Sequence, residues 1–227
     1  MKLLSANNTK IKKGEKLGWK TLGLSLAPHT ISGKNLCPHA SEGCALACLN
    51  TAGMGVFSNV QKARLEKTKY LLENRAEFLN QLKKEISNAK KRIEKLAIRL
   101  NVLSDLPWHN LVEMEKNKEV QFYDYTPNPS RMIQFLKGEL PSNYHLTFSR
   151  KENNQAHVEL ILSMGGNVAV VFDKLPKTYL GKEVVDGDET DLRFLDKKGV
   201  VVGLKAKGKG KKDESGFVVR TNEGIEK

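Results

Sequence analysis

Three cysteines stand within twelve residues, Cys37-Pro-His-Ala-Ser-Glu-Gly-Cys44-Ala-Leu-Ala-Cys48, and the other 215 positions contain none. An odd number of thiols cannot be fully paired in disulfides, and a tight cluster points to metal binding or thiol reactivity. Thiolates select soft metals, either zinc or the iron of iron–sulfur clusters. A structural zinc site wants four protein ligands. His39 could complete a Cys3His set, although Cys37-x-His39 is tight for the usual zinc loops. A four-iron cluster held by three cysteines leaves one iron open to a substrate or cofactor, which is the condition for catalysis. Cys44 and Cys48, four apart, share one face if a helical turn forms there. An iron–sulfur cluster on Cys37, Cys44 and Cys48 is therefore the leading expectation, with zinc and a reactive thiol group as the alternatives.

The remaining polar candidates recur at the ends of apolar runs: Pro28-His29, Asn101 with Ser104-Asp105, Asp124-Tyr125-Thr126, Ser149-Arg150, Asp173-Lys174 and Lys205. If those runs are parallel strands, their C-terminal ends converge on one rim, where active sites of β/α folds sit. Each residue also has a plain structural reading. Asp105 can cap the segment before Pro107, Arg150 can pair with Glu152, and Asp124 and Tyr125 can be hydrogen-bonded loop residues. Trp108 and His109 read as packing and capping, His145 and His157 as core or surface.

The elements that must position these groups follow from periodicity. Leu22–Ala27, Ile98–Leu103, Val120–Tyr125, Tyr144–Phe148, Asn167–Phe172 and Val200–Leu204 are short runs rich in β-formers. Several are nearly continuous rather than alternating, as for parallel strands covered on both faces. Between them, Ser58 to about Glu73 reads as a helix with Ser58 at its N-cap. Phe78, Leu82, Ile86, Ala89, Ile93 and Leu96 then form an apolar stripe at helical spacing. Shorter helices fit Asn110–Lys116, Ser130–Lys137 capped by Ser130, and Gln155–Met164, the last ended by Gly165-Gly166. Strands alternating with helices predict an α/β fold with a parallel sheet and right-handed crossovers. No Gly-x-Gly-x-x-Gly follows the first strand, so a dinucleotide fold loses its main support. The expected architecture is a six-stranded partial (β/α)6 barrel in a single domain, 1–227. It divides into an N-terminal extension over 1–21, the barrel over 22–204 with a cluster loop at 35–53, and a basic tail over 205–227.

Composition narrows the function classes. At 39% hydrophobic and 28% charged residues, the chain can build a core and global disorder is excluded. No apolar run approaches the roughly 20 residues that span a bilayer, and Met1-Lys2-Leu3-Leu4-Ser5 does not resemble a signal peptide, so the expected compartment is the cytoplasm. The net charge of +12 favours polyanions, nucleic acid first among them. Part of that charge is local: Lys205, Lys207, Lys209, Lys211 and Lys212 interleave with glycines in a stretch that reads as a solvated loop. Aromatic content of only 7% argues against a stacking-based single-strand binder.

A three-cysteine loop after the first strand of a six-fold β/α unit resembles the radical S-adenosylmethionine enzymes. Their common motif is Cys-x3-Cys-x2-Cys, whereas this chain has Cys-x6-Cys-x3-Cys. Asn35-Leu-Cys-Pro-His-Ala-Ser-Glu-Gly-Cys-Ala-Leu-Ala-Cys-Leu-Asn-Thr-Ala-Gly53, Arg99-Leu-Asn-Val-Leu-Ser-Asp-Leu-Pro-Trp108 and Phe122-Tyr-Asp-Tyr-Thr126 also look like a phage protein family named for gene product 88. That name carries no chemistry, so the chemical expectations come from the broader likeness. It implies that Cys37, Cys44 and Cys48 hold a [4Fe–4S] cluster, whose open iron takes S-adenosylmethionine and cleaves it to a 5′-deoxyadenosyl radical. It further implies that Asn101, Ser104 and Asp105 meet the cofactor's amine, that Ser149 and Arg150 bind its ribose and carboxylate, and that Asp124 and Tyr125 face the substrate. No Gly-Gly-Glu-type amine-binding segment is present. An external reductant would be a partner, nucleic acid or a nucleotide a candidate substrate, and the host cytoplasm the setting for a phage-encoded chain. The alternative is a non-catalytic nucleic-acid-binding protein stabilised by iron–sulfur or zinc at the same cysteines, and an electron-transfer protein is a third.

Overall fold

The structure, a computed structural model, describes residues 1–6 and 12–221; parts of the expected N-terminal extension (7–11) and basic tail (222–227) lie outside the described residues. Each of the six predicted runs contains strand, although the strand covers only Leu22–Leu24 of the first run and only Ile98 and Arg99 of the second. In chain order the elements are β1 (Leu4–Ser5), β2 (Lys20–Leu24), helix α1 (Glu42–Leu46), α2 (Ser58–Glu73), α3 (Arg75–Lys90), β3 (Leu96–Arg99), β4 (Val120–Thr126), α4 (Pro129–Leu136), β5 (Tyr144–Ser149), α5 (Gln155–Ser163), β6 (Val168–Phe172), β7 (Thr178–Tyr179), β8 (Lys182–Asp186), β9 (Val201–Lys205) and β10 (Val218–Val219). Strands β2, β3, β4, β5, β6 and β9 lie side by side in that order, each parallel to the next.

Among the described residues the sheet has ten strands rather than six, ordered β1-β2-β3-β4-β5-β6-β9-β8-β7, with β10 beside β6. Its path ends at β1 and β7 and does not close. The four extra strands carried no readable period. Three of them are two residues long, and β8 is built largely from Lys182, Glu183 and Asp186. β1 adds antiparallel to β2, and β7 with β8 forms a hairpin in the stretch between Phe172 and Lys198.

The helix expectations differ in their ends. α2 begins at Ser58 itself, with Phe57 at the cap, a shift of one residue. α4 is capped not by Ser130 but by Asn128, whose Oδ1 accepts from Arg131 N at 3.2 Å, with Pro129 at the first helical position. The stretch 110–116 makes two short 3-10 turns, Trp108–Asn110 and Met114–Lys116, instead of one helix. Gly165 at φ 80° ends α5 in the left-handed conformation that glycine adopts without steric cost.

Register separates the sheet into two unlike faces, because aligned residues of parallel strands point the same way. Leu22, Ile98, Phe122 and Tyr144 align across four strands and are buried with Phe78, Leu82 and Ile86 of α3. The opposite face carries Thr21, Ala97 and Gln121 in one row, Gly23 and Arg99 in the next, then Tyr123 with His145 and Tyr125 with Thr147. This polar face is covered by Leu192 and Phe194 together with Trp19. Among the described residues, no helix is long and apolar enough to cross a membrane.

Candidate functional site

The cysteine segment lies over the C-terminal ends of the parallel strands. Leaving β2, the chain turns at His29, whose φ of 52° is left-handed, and reaches Cys37. The Cys37 Sγ accepts from His29 N at 3.4 Å and donates to Leu103 O at 3.3 Å, so this thiol rests on the loop that follows β3. α1 then carries Cys44. Its cap is Ser41, whose Oγ accepts from Cys44 N at 3.3 Å and donates to Glu152 Oε2 at 2.6 Å; Gly43 N donates to Glu152 Oε1 at 2.9 Å. Burial pushes the Glu152 carboxyl up, but these donors outweigh it and hold it below the usual range. A residue just beyond β5 thus holds the start of the helix that carries Cys44. Cys48 caps the following 3-10 turn, accepting from Asn50 N at 3.5 Å, and Arg64 Nη1 donates to Asn50 Oδ1 at 2.5 Å.

All three thiols are free and partly buried. Burial pushes Cys37 up to about 11 and Cys44 up to about 12, and each also feels the negative charge of its neighbours: Cys48 acts on Cys37, and both Cys48 and Cys37 act on Cys44. Cys48 is raised by burial as well, against an opposing hydrogen bond from Asn50. The loop therefore gathers three soft donors whose thiolate forms are disfavoured chiefly by burial, a preference that a bound multivalent cation reverses. Around one ion, sulfur donors would converge to about 2.3 Å from a single point. Among the described residues no group of three His, Cys, Asp or Glu side chains is placed to hold a metal ion in that way. A cluster of several irons spaces its ligands more widely, and backbone N–H donors to sulfur such as His29 N and Asn50 N suit cluster thiolates. In donor type the set suits an iron–sulfur group, with three thiols where such clusters commonly take four.

The residues expected to surround it fall into three places. Asn101 and Asp124 form a buried network behind the rim. Asp124 Oδ1 accepts from Asn101 N at 2.7 Å, and its Oδ2 accepts from Tyr144 OH at 3.0 Å. The side-chain oxygen of Asn101 takes three donors: Ser104 Oγ at 2.8 Å, Leu106 N at 2.9 Å and Trp108 Nε1 at 3.1 Å. Asn101 and Ser104 thereby shape the loop on which Cys37 rests. Burial raises Asp124 to about 7, despite the donor from Asn101 N.

Asp105 belongs to a second place. Its Oδ1 accepts from Arg131 Nη1 at 2.6 Å and Thr126 Oγ1 at 2.9 Å, while its buried Oδ2 has no hydrogen-bond partner among the described residues. Burial holds its carboxyl above the usual range against the pull of Arg131. Asp105 lines a groove of ≈ 410 Å³ beside the cysteine loop, together with Asn35, Pro38, His109, Asn128 and Arg131.

Ser149 and Arg150 mark the third place, where β5 leaves the sheet. Arg150 Nη1 donates to the carbonyls of Gly216 (2.5 Å) and Phe217 (2.9 Å), just before β10. The expected pairing of Arg150 with Glu152 is replaced by this latch. Tyr125 lies on the polar face, beneath the guanidinium of Arg99 at 4.6 Å from the ring centroid.

Several residues of this region escaped the sequence reading. Arg99 pairs with Asp191 at 3.0 Å, and Tyr123 OH donates to the same carboxylate at 2.9 Å. Burial disfavours the Arg99 cation, but Asp191 together with Tyr125, Tyr123 and Asp124 outweighs it and holds the guanidinium charged. The signal was a lone Arg inside the apolar run Leu96-Ala-Ile-Arg-Leu100. Nothing local pointed to Asp191 or Glu152, which reach the site from distant sequence. A family model described as Gene product 88 matches residues 1–221 of this chain. No curated protein and no solved structure matches it.

Proposed function

The chain belongs to the gene product 88 family, and on that premise we propose that it is an iron–sulfur enzyme of the radical S-adenosylmethionine type. Cys37, Cys44 and Cys48 are the ligands of a [4Fe–4S] cluster in this reading, and the six parallel strands in chain order form the wall of a partial (β/α)6 barrel. One observation carries it: three free thiols from one twelve-residue stretch sit on a loop above the ends of parallel strands. When bound, such a cluster supplies an electron to S-adenosylmethionine, and the radical chemistry belongs to the cofactor rather than the protein.

The chain's own part is positioning. Glu152, through Ser41 and Gly43, sets the turn that aims Cys44, and Leu103 O with His29 N sets Cys37. Asn101 and Asp124 act through the loop at 101–108 rather than on a ligand. Asp105, the member of the Asn101, Ser104, Asp105 set that lines the groove beside Cys37, would meet a ligand amine only once a small movement uncovers its buried Oδ2. Arg131 holds that carboxylate in place.

Iron analysis of protein purified without oxygen tests the reading. Close to four irons per chain are expected, with loss of iron in Cys37→Ala, Cys44→Ala and Cys48→Ala and slow reductive cleavage of S-adenosylmethionine by the wild type under dithionite. One equivalent of zinc in colourless protein, or iron-loaded protein that neither binds nor cleaves the cofactor, overturns it.

A further inference from the structure

The glycine-interleaved lysines do not hang free. Residues Gly208–Lys212 form a 3-10 turn that is docked on the segment following Cys48. Gly208 has φ +54°, and a side chain there would meet Ala52 Cβ at 2.8 Å and Thr51 O at 3.3 Å. Gly210 is buried, with Ala47 Cβ 3.5 Å from where its own Cβ would stand. Glycine at these two positions lets the turn approach closely, and the intervening lysines project outward. Lys205 and Lys207 are matched by Asp186 and Asp188. Among the described residues Lys209, Lys211 and Lys212 are exposed and form no ion pair.

The segment on which this turn rests is unusual in another way. Leu46, Leu49, Met54, Val56 and Phe57 are each more than half exposed, five large apolar side chains within twelve residues. Water-facing apolar residues at that density mark an interaction surface. Here they border three unpaired ammonium groups on a chain whose net charge is +12. That charge opposes association with a second copy and favours a polyanion.

We propose that this face, formed by the lysine turn 208–212 and the apolar segment 46–57, binds single-stranded nucleic acid across the rim of the thiol site. Phosphates lie against Lys209, Lys211 and Lys212, and unstacked bases cover Met54 and Phe57. A duplex keeps its bases stacked and offers nothing to the apolar half, so the single strand is the better match. The segment includes Cys48, but the lysines and the exposed apolar side chains of the surface are not ligands in the iron–sulfur reading. Failure of this proposal and failure of the iron–sulfur reading are therefore separable.

Fluorescence anisotropy with a labelled mixed-sequence 20-mer, as single strand and as duplex, tests the proposal across a salt series. Each phosphate contact contributes about 0.7 to the slope of log affinity against log salt. Lys209→Ala/Lys211→Ala/Lys212→Ala should lower the slope by about 2, whereas Lys91→Ala/Lys95→Ala/Lys118→Ala, before the N-terminal ends of β3 and β4, should leave it unchanged. Met54→Gln/Phe57→Gln should weaken single-strand binding by about five- to tenfold with the slope retained. Cys37→Ser protein should bind like the wild type, with circular dichroism confirming the fold of every variant. An unchanged slope in the first triple variant overturns the proposal, as does a duplex bound as tightly as the single strand. Retention on phosphatidylcholine–phosphatidylglycerol vesicles without oligonucleotide binding overturns it too, and assigns the face to a membrane.

Discussion

Arg150 shows how a residue's chemistry can be read correctly while its partner is not. A guanidinium at a strand end suits a carboxylate fork, yet here the acceptors are two main-chain carbonyls, of Gly216 and Phe217. Arg150→Ala should loosen β10 and speed amide hydrogen exchange over 213–219, at a cost of about 1–3 kcal/mol in denaturant unfolding. Unchanged exchange in that segment would show that the latch is incidental. Gly43 is the second informative residue. A Cβ there would stand 2.2 Å from Ser215 Oγ and 2.8 Å from Phe217 Cβ. Gly43→Ala should therefore push α1 away from the C-terminal segment and, in the iron–sulfur reading, lower iron retention although Gly43 is not one of the proposed ligands. Iron content equal to wild type after buffer exchange would count against this.

At the scale of elements, two buried groups on adjacent strands pull stability in opposite directions with pH. Asp124 of β4 has its carboxyl raised by burial from 3.8 to about 7, so the folded state holds that proton more tightly than the unfolded chain. The stability it contributes is fully present below about pH 4 and is lost as pH rises toward 7. His145 of β5 is pushed down by burial from 6.5 to about 4, with Arg193 adding to the shift. Its contribution is present above pH 6.5 and lost as pH falls toward 4. Between pH 4 and 6.5 the two largely cancel. Asp124→Asn should unmask a rise in unfolding free energy with pH across that window, and His145→Leu a fall, each up to about 1.4 kcal/mol per pH unit. Urea titrations at pH 4.5 and 6.5 measure both; parallel changes in wild type and variants would show that neither group is linked to folding.

At the scale of the molecule, β10 closes a gap that the parallel strands leave open. β9 lines one edge of β6 from Val168 to Phe172, while β5 reaches only Val168 and Ala169 on the other edge. β10 takes over at Val171 and Phe172. Because Ser215 and Phe217 also pack against Gly43, the C-terminal segment joins the sheet to the cysteine helix. A chain ending at Ala206 should unfold more easily by about 2–4 kcal/mol, since Val218 is buried beside β6. Its Cys44 should react faster with a maleimide than in the full chain. Equal labelling rates would mean that the segment does not shield the thiols.

Sequence alone determined what local pattern and residue chemistry can encode. The six β-rich runs, the stripe Phe78, Leu82, Ile86 and the clustering of Cys37, Cys44 and Cys48 are all short-range features. Burial of continuous apolar strands between layers dictates a parallel α/β arrangement whatever the details. Tertiary structure alone decided which partners meet. Asp191 reaches Arg99 across 92 residues, Glu152 reaches Gly43 across 109, and the lysine turn docks beside Cys48 from the far end of the chain. Two-residue strands such as Val218–Val219 have no period of their own and exist because β6 leaves an edge unpaired. Contacts of that kind depend on how the whole chain closes on itself, so no window of sequence contains them.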